Sequence, residues 1–205
     1  MHHSIEDMIA DCLQNSVEAN ASRIVLTVSE TPEWLDVRIE DNGKGMSDEE
    51  MKRATDPFYT DGVKHKHRKV GLGLPFLIQT VEATGSTWSL QSKKGEGTVL
   101  SFRLNLRHID LPPVGDLPPA FFSAMIFDGS YELIIHRSYS GSRKAEYTVT
   151  RSELKEALGS FEDAEALALL KQFLTDQESD IKEIKNGEIN TGRTAQNARS
   201  RKKTD

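Results

Sequence analysis

The chain has 205 residues, 32 of them acidic and 26 basic, for a net charge of -6; 37% are hydrophobic and 28% charged. That is enough polypeptide for one good core plus a small second unit. No apolar run approaches the ~20 residues of a membrane-spanning helix, and the acidic balance argues against general nucleic-acid binding. Cys12 is the only cysteine, which excludes an intrachain disulfide and a cysteine zinc site. The acidic start, Met1 to Asp7, lacks the apolar centre of a signal peptide, so a cytoplasmic location is expected.

In chain order, Ile5, Met8, Ile9, Cys12, Leu13 and Val17 keep helical spacing behind a Ser4–Asp7 capping pair, which predicts a helix over 4–21. Two strands follow, 23–29 and 34–40, around a Thr31-Pro32-Glu33 turn. Ser47 and the acids Asp48, Glu49 and Glu50 open a short helix. Residues 56–70 have no period and are rich in Lys, His, Asp and Gly, so a loop is expected. Residues 72–84 return to helix. Residues 88–92 and 98–104 form a hairpin around Lys94-Gly95-Glu96-Gly97. The order predicts an α+β fold, a two-layer sandwich with helices on one face of a mixed sheet.

This first domain spans 1–108. Residues 109–119 hold four of the seven prolines and read as a stiff linker. A small α/β unit is expected over 120–177: strands near 131–136 and 145–149 around Ser140-Gly141-Ser142, then helices over 151–158 and 162–175. The second of these puts Leu167, Leu170, Phe173 and Leu174 on one face. From 178 the chain is polar, and a disordered tail over 178–205 is expected.

Three separated stretches converge on one chemistry. Asp41-Asn42-Gly43-Lys44-Gly45-Met46 puts a carboxylate and two glycines where a strand becomes a loop, so the backbone can approach a flat ligand. Asn15 lies upstream on the first helix, and Gly71-Leu72-Gly73-Leu74 opens a later one. Such a set suits Mg-ATP. The Asn15 amide can coordinate Mg²⁺, and Asp11, one turn earlier on the same face, can orient a water or hydroxyl nucleophile. Asp41 can accept from an adenine amino group, with Gly43 and Gly45 beneath the base. Lys66 and Lys69 can reach phosphate oxygens, and Gly71 and Gly73 can offer backbone N–H groups at a helix N-terminus. Thr98 can reach the base edge. His65 and His67 alternate with the lysines, but nothing nearby completes a metal-ligand set.

The chain resembles the ATP-binding domain shared by DNA gyrase, the ninety-kilodalton heat-shock chaperone, histidine kinases and MutL. Residues 11–19 resemble its Asn box and residues 40–46 its first glycine box. Asp56-Pro57-Phe58-Tyr59-Thr60 resembles its phenylalanine box, residues 70–74 its second glycine box, and Gly95-Glu96-Gly97-Thr98 its last. The five boxes run in order over residues 4–106. The resemblance implies a Bergerat-type fold with Mg-ATP under a lid over residues 57–70. It implies cofactor contacts from Asn15, Asp41, Gly43, Gly45, Met46, Lys66, Lys69, Gly71, Leu72, Gly73, Leu74 and Thr98, a metal contact from Asn15, and a catalytic role for Asp11.

Within the superfamily, many histidine kinases carry Asn where Asp11 stands, whereas hydrolases and serine kinases carry an acid. The second glycine box, by contrast, is histidine-kinase-like. No phospho-acceptor helix pair precedes the first box, which makes a stand-alone ATPase or protein kinase acting on a protein partner the leading expectation. A detached histidine kinase catalytic subunit and a nucleotide-gated binding module are the alternatives. The oligomeric state is left open.

Overall fold

The computed structural model describes residues 4–56 and 73–201. Helix α1 (Ile5–Glu18) is capped by Ser4, whose hydroxyl accepts from the Asp7 N–H at 3.3 Å. Strands β1 (Arg23–Glu30) and β2 (Trp34–Asp41) form a hairpin closed at Thr31, whose hydroxyl accepts from the Glu33 and Trp34 amides. Helix α2 (Asp48–Thr55) starts with a complete capping box between Ser47 and Glu50. Helix α3 (Gly73–Ala83) leads to the hairpin β3 (Thr87–Lys93) and β4 (Gly97–Asn105). Then come α4 (Leu117–Ile126), β5 (Glu132–Ser140), β6 (Lys144–Thr150), α5 (Arg151–Leu158) and α6 (Ala164–Arg201).

The strands make one sheet in the order β3-β4-β2-β1-β5-β6. Its pairs are antiparallel except β1 with β5. Period-two alternation sends Ile24, Leu26, Val28, Leu35, Val37, Ile39, Leu100, Phe102, Leu104, Leu133 and Ile135 to one face, where they are buried under the helices. The other face carries Thr27, Ser29, Arg38, Ser101, Arg103 and His136. This is the expected two-layer α+β sandwich, with helices on one side.

The organisation after residue 108 differs from the expected linker and separate unit. β5 lies against β1 from Arg23↔Glu132 to Glu30↔Tyr139, so it continues the first sheet. Phe121, Leu133, Ile135, Leu170 and Leu174 share one buried cluster with Leu13, Leu26 and Leu35. A free β1 edge would leave a row of N–H and C=O groups unpaired, and β5 fills it. The proline-rich run also has a fixed course. Pro113 and Val114 carbonyls accept from the Ile5 and Glu6 amides at 3.0 and 2.9 Å, satisfying donors that a helix start leaves open. Pro118 and Pro119 sit in the first turn of α4, where a residue without an N–H costs nothing.

Within the first part of the expected tail, 178–188, the chain is helical and packed. Helix α6 runs unbroken through 178, with Glu178, Ile181 and Ile184 buried. Ala166, Leu170, Leu174 and Ile181 continue one apolar stripe at helical spacing. Phe173, expected on that face, sits at its flank, 37% exposed.

Candidate functional site

A cavity of about 280 Å³ opens between α1, the loop after β2, α2, the start of α3 and strands β3 and β4. Its walls are mostly apolar: Cys12, Ala19, Ile39, Met46, Ala54, Leu74, Leu90 and Leu100. Among the described residues the polar groups are few: Asn15, Ser16, Asp41, Lys44 and Thr98. An apolar slot with a handful of placed polar atoms is the usual form of a small-molecule site.

Asp41 is the last residue of β2 and is 9% exposed. Its carboxylate is fixed on both oxygens. Oδ2 accepts from the Ser16 hydroxyl at 2.9 Å, and Oδ1 from the Gly43 amide at 2.9 Å. Each carboxylate oxygen has a further lone pair, so acceptor capacity remains for a ligand. Asn42, next in the chain, does different work: its Oδ1 accepts from the Ser22 and Arg23 amides at 2.9 and 2.8 Å, tying the loop to the start of β1.

The loop depends on its glycines for packing. Gly45 has φ +59°, and a Cβ there would lie 1.9 Å from the Lys93 carbonyl oxygen. Gly97, at φ +109°, would drive a Cβ to 2.0 Å from the Asp41 carbonyl oxygen. Two glycine stretches far apart in sequence therefore press against each other, and the Gly95 amide donates to the Lys44 carbonyl at 2.7 Å.

Of the residues singled out in the sequence, Asn15, Asp41, Gly45, Met46, Leu74 and Thr98 all line this cavity. Three others lie one layer away. Gly43 is not on the wall. It backs Asp41, and a Cβ there would stand 2.8 Å from Ala19 Cβ. Gly73 opens α3 close against α1, where a Cβ would meet Asp11 Cβ at 2.7 Å. Asp11 itself is half-buried at that α1–α3 contact, one turn before Asn15, and does not line the cavity. Lys66, Lys69, Gly71, Leu72, His65, His67 and the phenylalanine box beyond Asp56 fall outside the described residues.

Several lining residues were not singled out from the sequence. Ser16 had a signal, since it follows Asn15 on the same helix. Leu90 and Leu100 look like ordinary strand residues, and only the β3–β4 register puts them side by side. Cys12 forms part of the wall, and burial, reinforced by the neighbouring Asp11 carboxylate, pushes its thiol up to about 12. It is a protonated, apolar surface element at neutral pH.

Among the described residues no group of three or more His, Cys, Asp or Glu side chains could hold a metal by themselves. A Mg²⁺ carried in by phosphates needs less, because it keeps its waters and takes one or two protein oxygens. The Asn15 amide at the cavity wall fits that requirement. Among the described residues no helix is long and apolar enough to cross a membrane.

Residues 2–108 match the family model described as Histidine kinase-, DNA gyrase B-, and HSP90-like ATPase. Similar curated proteins are kinases by name. Sporulation kinase C of Bacillus subtilis is 26% identical over 107 residues, 51% of this chain and 24% of that protein. The CAI-1 autoinducer sensor kinase/phosphatase CqsS of Vibrio cholerae is 26% identical over 137 residues, 66% of this chain and 19% of that one. The sensor histidine kinase RcsC of Escherichia coli is 27% identical over 111 residues, 53% and 12%. The chain thus spans about an eighth to a quarter of the length of these relatives.

Proposed function

The chain belongs to the family of histidine kinase-, DNA gyrase B- and HSP90-like ATPases, and from that membership we propose that it binds Mg-ATP in the α1–β4 cavity and acts on a protein partner in signalling or regulation, as an ATPase or protein kinase. The observation that carries this reading is Asp41. A buried carboxylate, held on both oxygens by Ser16 and Gly43, faces a mostly apolar slot. That combination selects a flat ring bearing an N–H donor, which describes adenine.

The remaining roles follow from position. Thr98, the register partner of Asp41 on β4, meets the same edge of the base. Ile39, Leu90 and Leu100 take its faces. Asn15 would hold Mg²⁺, which would supply charge neutralisation at the phosphates. Asp11, one turn before Asn15, orients the attacking hydroxyl or water from the α1–α3 contact. The phosphate contacts expected of Lys66, Lys69, Gly71 and Leu72 belong to the same reading. A cytoplasmic setting, with neither nucleic acid nor membrane as partner, is part of the same reading.

A second reading has a specific observation in its favour. The relatives named above are kinases, two of them sensor kinases by name. This favours phosphoryl transfer to a histidine on a separate chain. A module that binds nucleotide without turnover is the third reading. Purified protein with Mg²⁺ and γ-labelled ATP separates them. Phosphate release or a labelled hydroxyl amino acid on a partner supports the first, an acid-labile label on a partner histidine the second, and binding alone the third. Asp41→Asn should abolish binding in all three. Full binding by that variant would refute the pocket assignment, and phosphate release unchanged in Asp11→Asn would remove the role given to Asp11.

A further inference from the structure

Ser92, on β3, belongs to none of the motifs that mark the cavity, yet its hydroxyl touches three pieces of it. The Oγ accepts from the Met46 amide at 2.8 Å, reaches the Gly97 carbonyl oxygen at 3.0 Å, and lies 2.8 Å from Thr98 Oγ1. These contacts join the loop after β2, the β3–β4 turn and a side chain on the cavity wall.

The proton count decides the sense of each bond. A serine hydroxyl has one hydrogen and two lone pairs. The Met46 amide can only donate, so it takes one lone pair. The Gly97 carbonyl can only accept, so it takes the single proton. The contact with Thr98 is then satisfied in one way: Thr98 donates its proton to the second lone pair of Ser92. Thr98 is left with lone pairs alone for the cavity.

We propose, on the footing of the nucleotide reading above, that Ser92 is a positioning residue that turns Thr98 into an obligate acceptor and thereby sets the base preference of the site. Asp41 and Thr98 are direct register partners on β2 and β4, so the cavity presents two acceptors side by side. An exocyclic amine has two N–H donors and satisfies both. A base with a carbonyl at that position, such as hypoxanthine, brings lone pairs against lone pairs and leaves the buried acceptors unpaired. Without Ser92 the Thr98 proton is free to rotate into the cavity and donate to such a carbonyl.

The test is the preference for ATP over ITP, read as the ratio of dissociation constants by calorimetry. Wild type should prefer ATP strongly. Ser92→Ala should reduce the ratio about tenfold, the scale of one hydrogen bond gained by one base and lost by the other. Ser92→Thr, which keeps the hydroxyl, should restore it. Thr98→Val should reduce the ratio, and Ser92→Ala added to Thr98→Val should reduce it no further. A purely structural Ser92 would weaken ATP and ITP by equal factors, and that result, with melting temperatures in hand, overturns the proposal. A wild type that binds both nucleotides equally overturns it while leaving the nucleotide site standing. A wild type that binds neither overturns the site reading and this inference with it.

Discussion

Arg137 and Glu30 meet across the parallel junction of β1 and β5, 2.5 Å apart, with side chains 1% and 3% exposed. They stand 107 positions apart in the sequence. Glu178 of α6 completes the cluster at 2.9 Å from Arg137 Nε, and Lys185 Nζ reaches Glu30 at 2.5 Å. The Tyr147 hydroxyl donates to Glu178 at 2.8 Å. Every charge in this buried group has an opposite partner, which is the condition under which such groups persist. Arg137→Met should cost about 3–5 kcal/mol, because it leaves buried Glu178 with only the Tyr147 hydroxyl and Glu30 with only Lys185. Urea denaturation measures it, and a loss below about 1 kcal/mol contradicts the burial of the cluster.

The Ser16–Asp41 bond predicts a separable effect. Ser16→Ala removes one of the two donors that orient the carboxylate. Affinity for ATP should fall about fivefold, close to the value of one hydrogen bond, with little change in melting temperature. Asp41→Asn should fall much further, since it puts an amide where an acceptor is needed. Titration calorimetry distinguishes the two steps.

Gly45→Ala should damage both fold and site. The residue sits at φ +59°, and the added Cβ would collide with the Lys93 carbonyl. Strain of about 1–3 kcal/mol is expected, together with loss of nucleotide binding as the loop and the β3–β4 turn separate. Gly95→Ala tests the alternative that any change in these turns is harmful. Its φ is also positive, at +81°, but no atom of the described residues stands within 4 Å of its Cβ position, so binding should survive.

Two carboxylates should give stability of opposite pH dependence. Burial beneath the 113–116 segment raises Glu6, against the pull of a backbone hydrogen bond at Asp116, and its Oε2 has no hydrogen-bond partner among the described residues. The folded state therefore binds that proton more tightly than the unfolded state. Its contribution is fully present below the unfolded value and is lost as pH rises through the folded one. Glu188 runs the other way. Hydrogen bonds from the Tyr139 hydroxyl at 2.6 Å and the Ser142 hydroxyl at 2.7 Å lower it. Its contribution is present above the unfolded carboxylate value and is lost as pH falls through the folded one. Glu6→Gln should raise the melting temperature at pH 7, and Glu188→Gln should lower it. Each difference should shrink in acid.

Cys12 supplies a probe of the intact site. With its thiol held protonated in the cavity wall, the folded protein should react with a disulfide reagent at pH 8 only slowly, and rapidly once unfolded. Saturating ATP should slow the folded-state reaction further. Fast labelling of the native protein would contradict the burial.

The nucleotide half of the molecule was legible because its signals are local. Caps at Ser4 and Ser47, the alternation in β1 and β2, and the glycine runs at 43–45 and 95–97 are each written within a few residues. The later half was misread for the same reason. Four prolines look like a linker until Pro113 is seen capping α1, and nothing near Glu132 announces that β5 pairs with a strand more than a hundred residues earlier. Polar composition suggested disorder beyond 178, but Glu178 and Lys185 are polar because their partners, Arg137 and Glu30, are ions. Ser92 had no signal of its own. Its importance comes from the register that brings Thr98 beside it.

The hydrogen bonds from Ile5 and Glu6 to Pro113 and Val114 bear on modularity. The family match ends at residue 108, and a fragment cut there would lose the anchor of α1, the strand on β1's edge and the cover over Leu26 and Leu35. Whatever replaces the segments 110–188 in a transplanted or shortened version inherits the task of holding Asn15 in place. The unit that packs as one body here is larger than the stretch the family model matches.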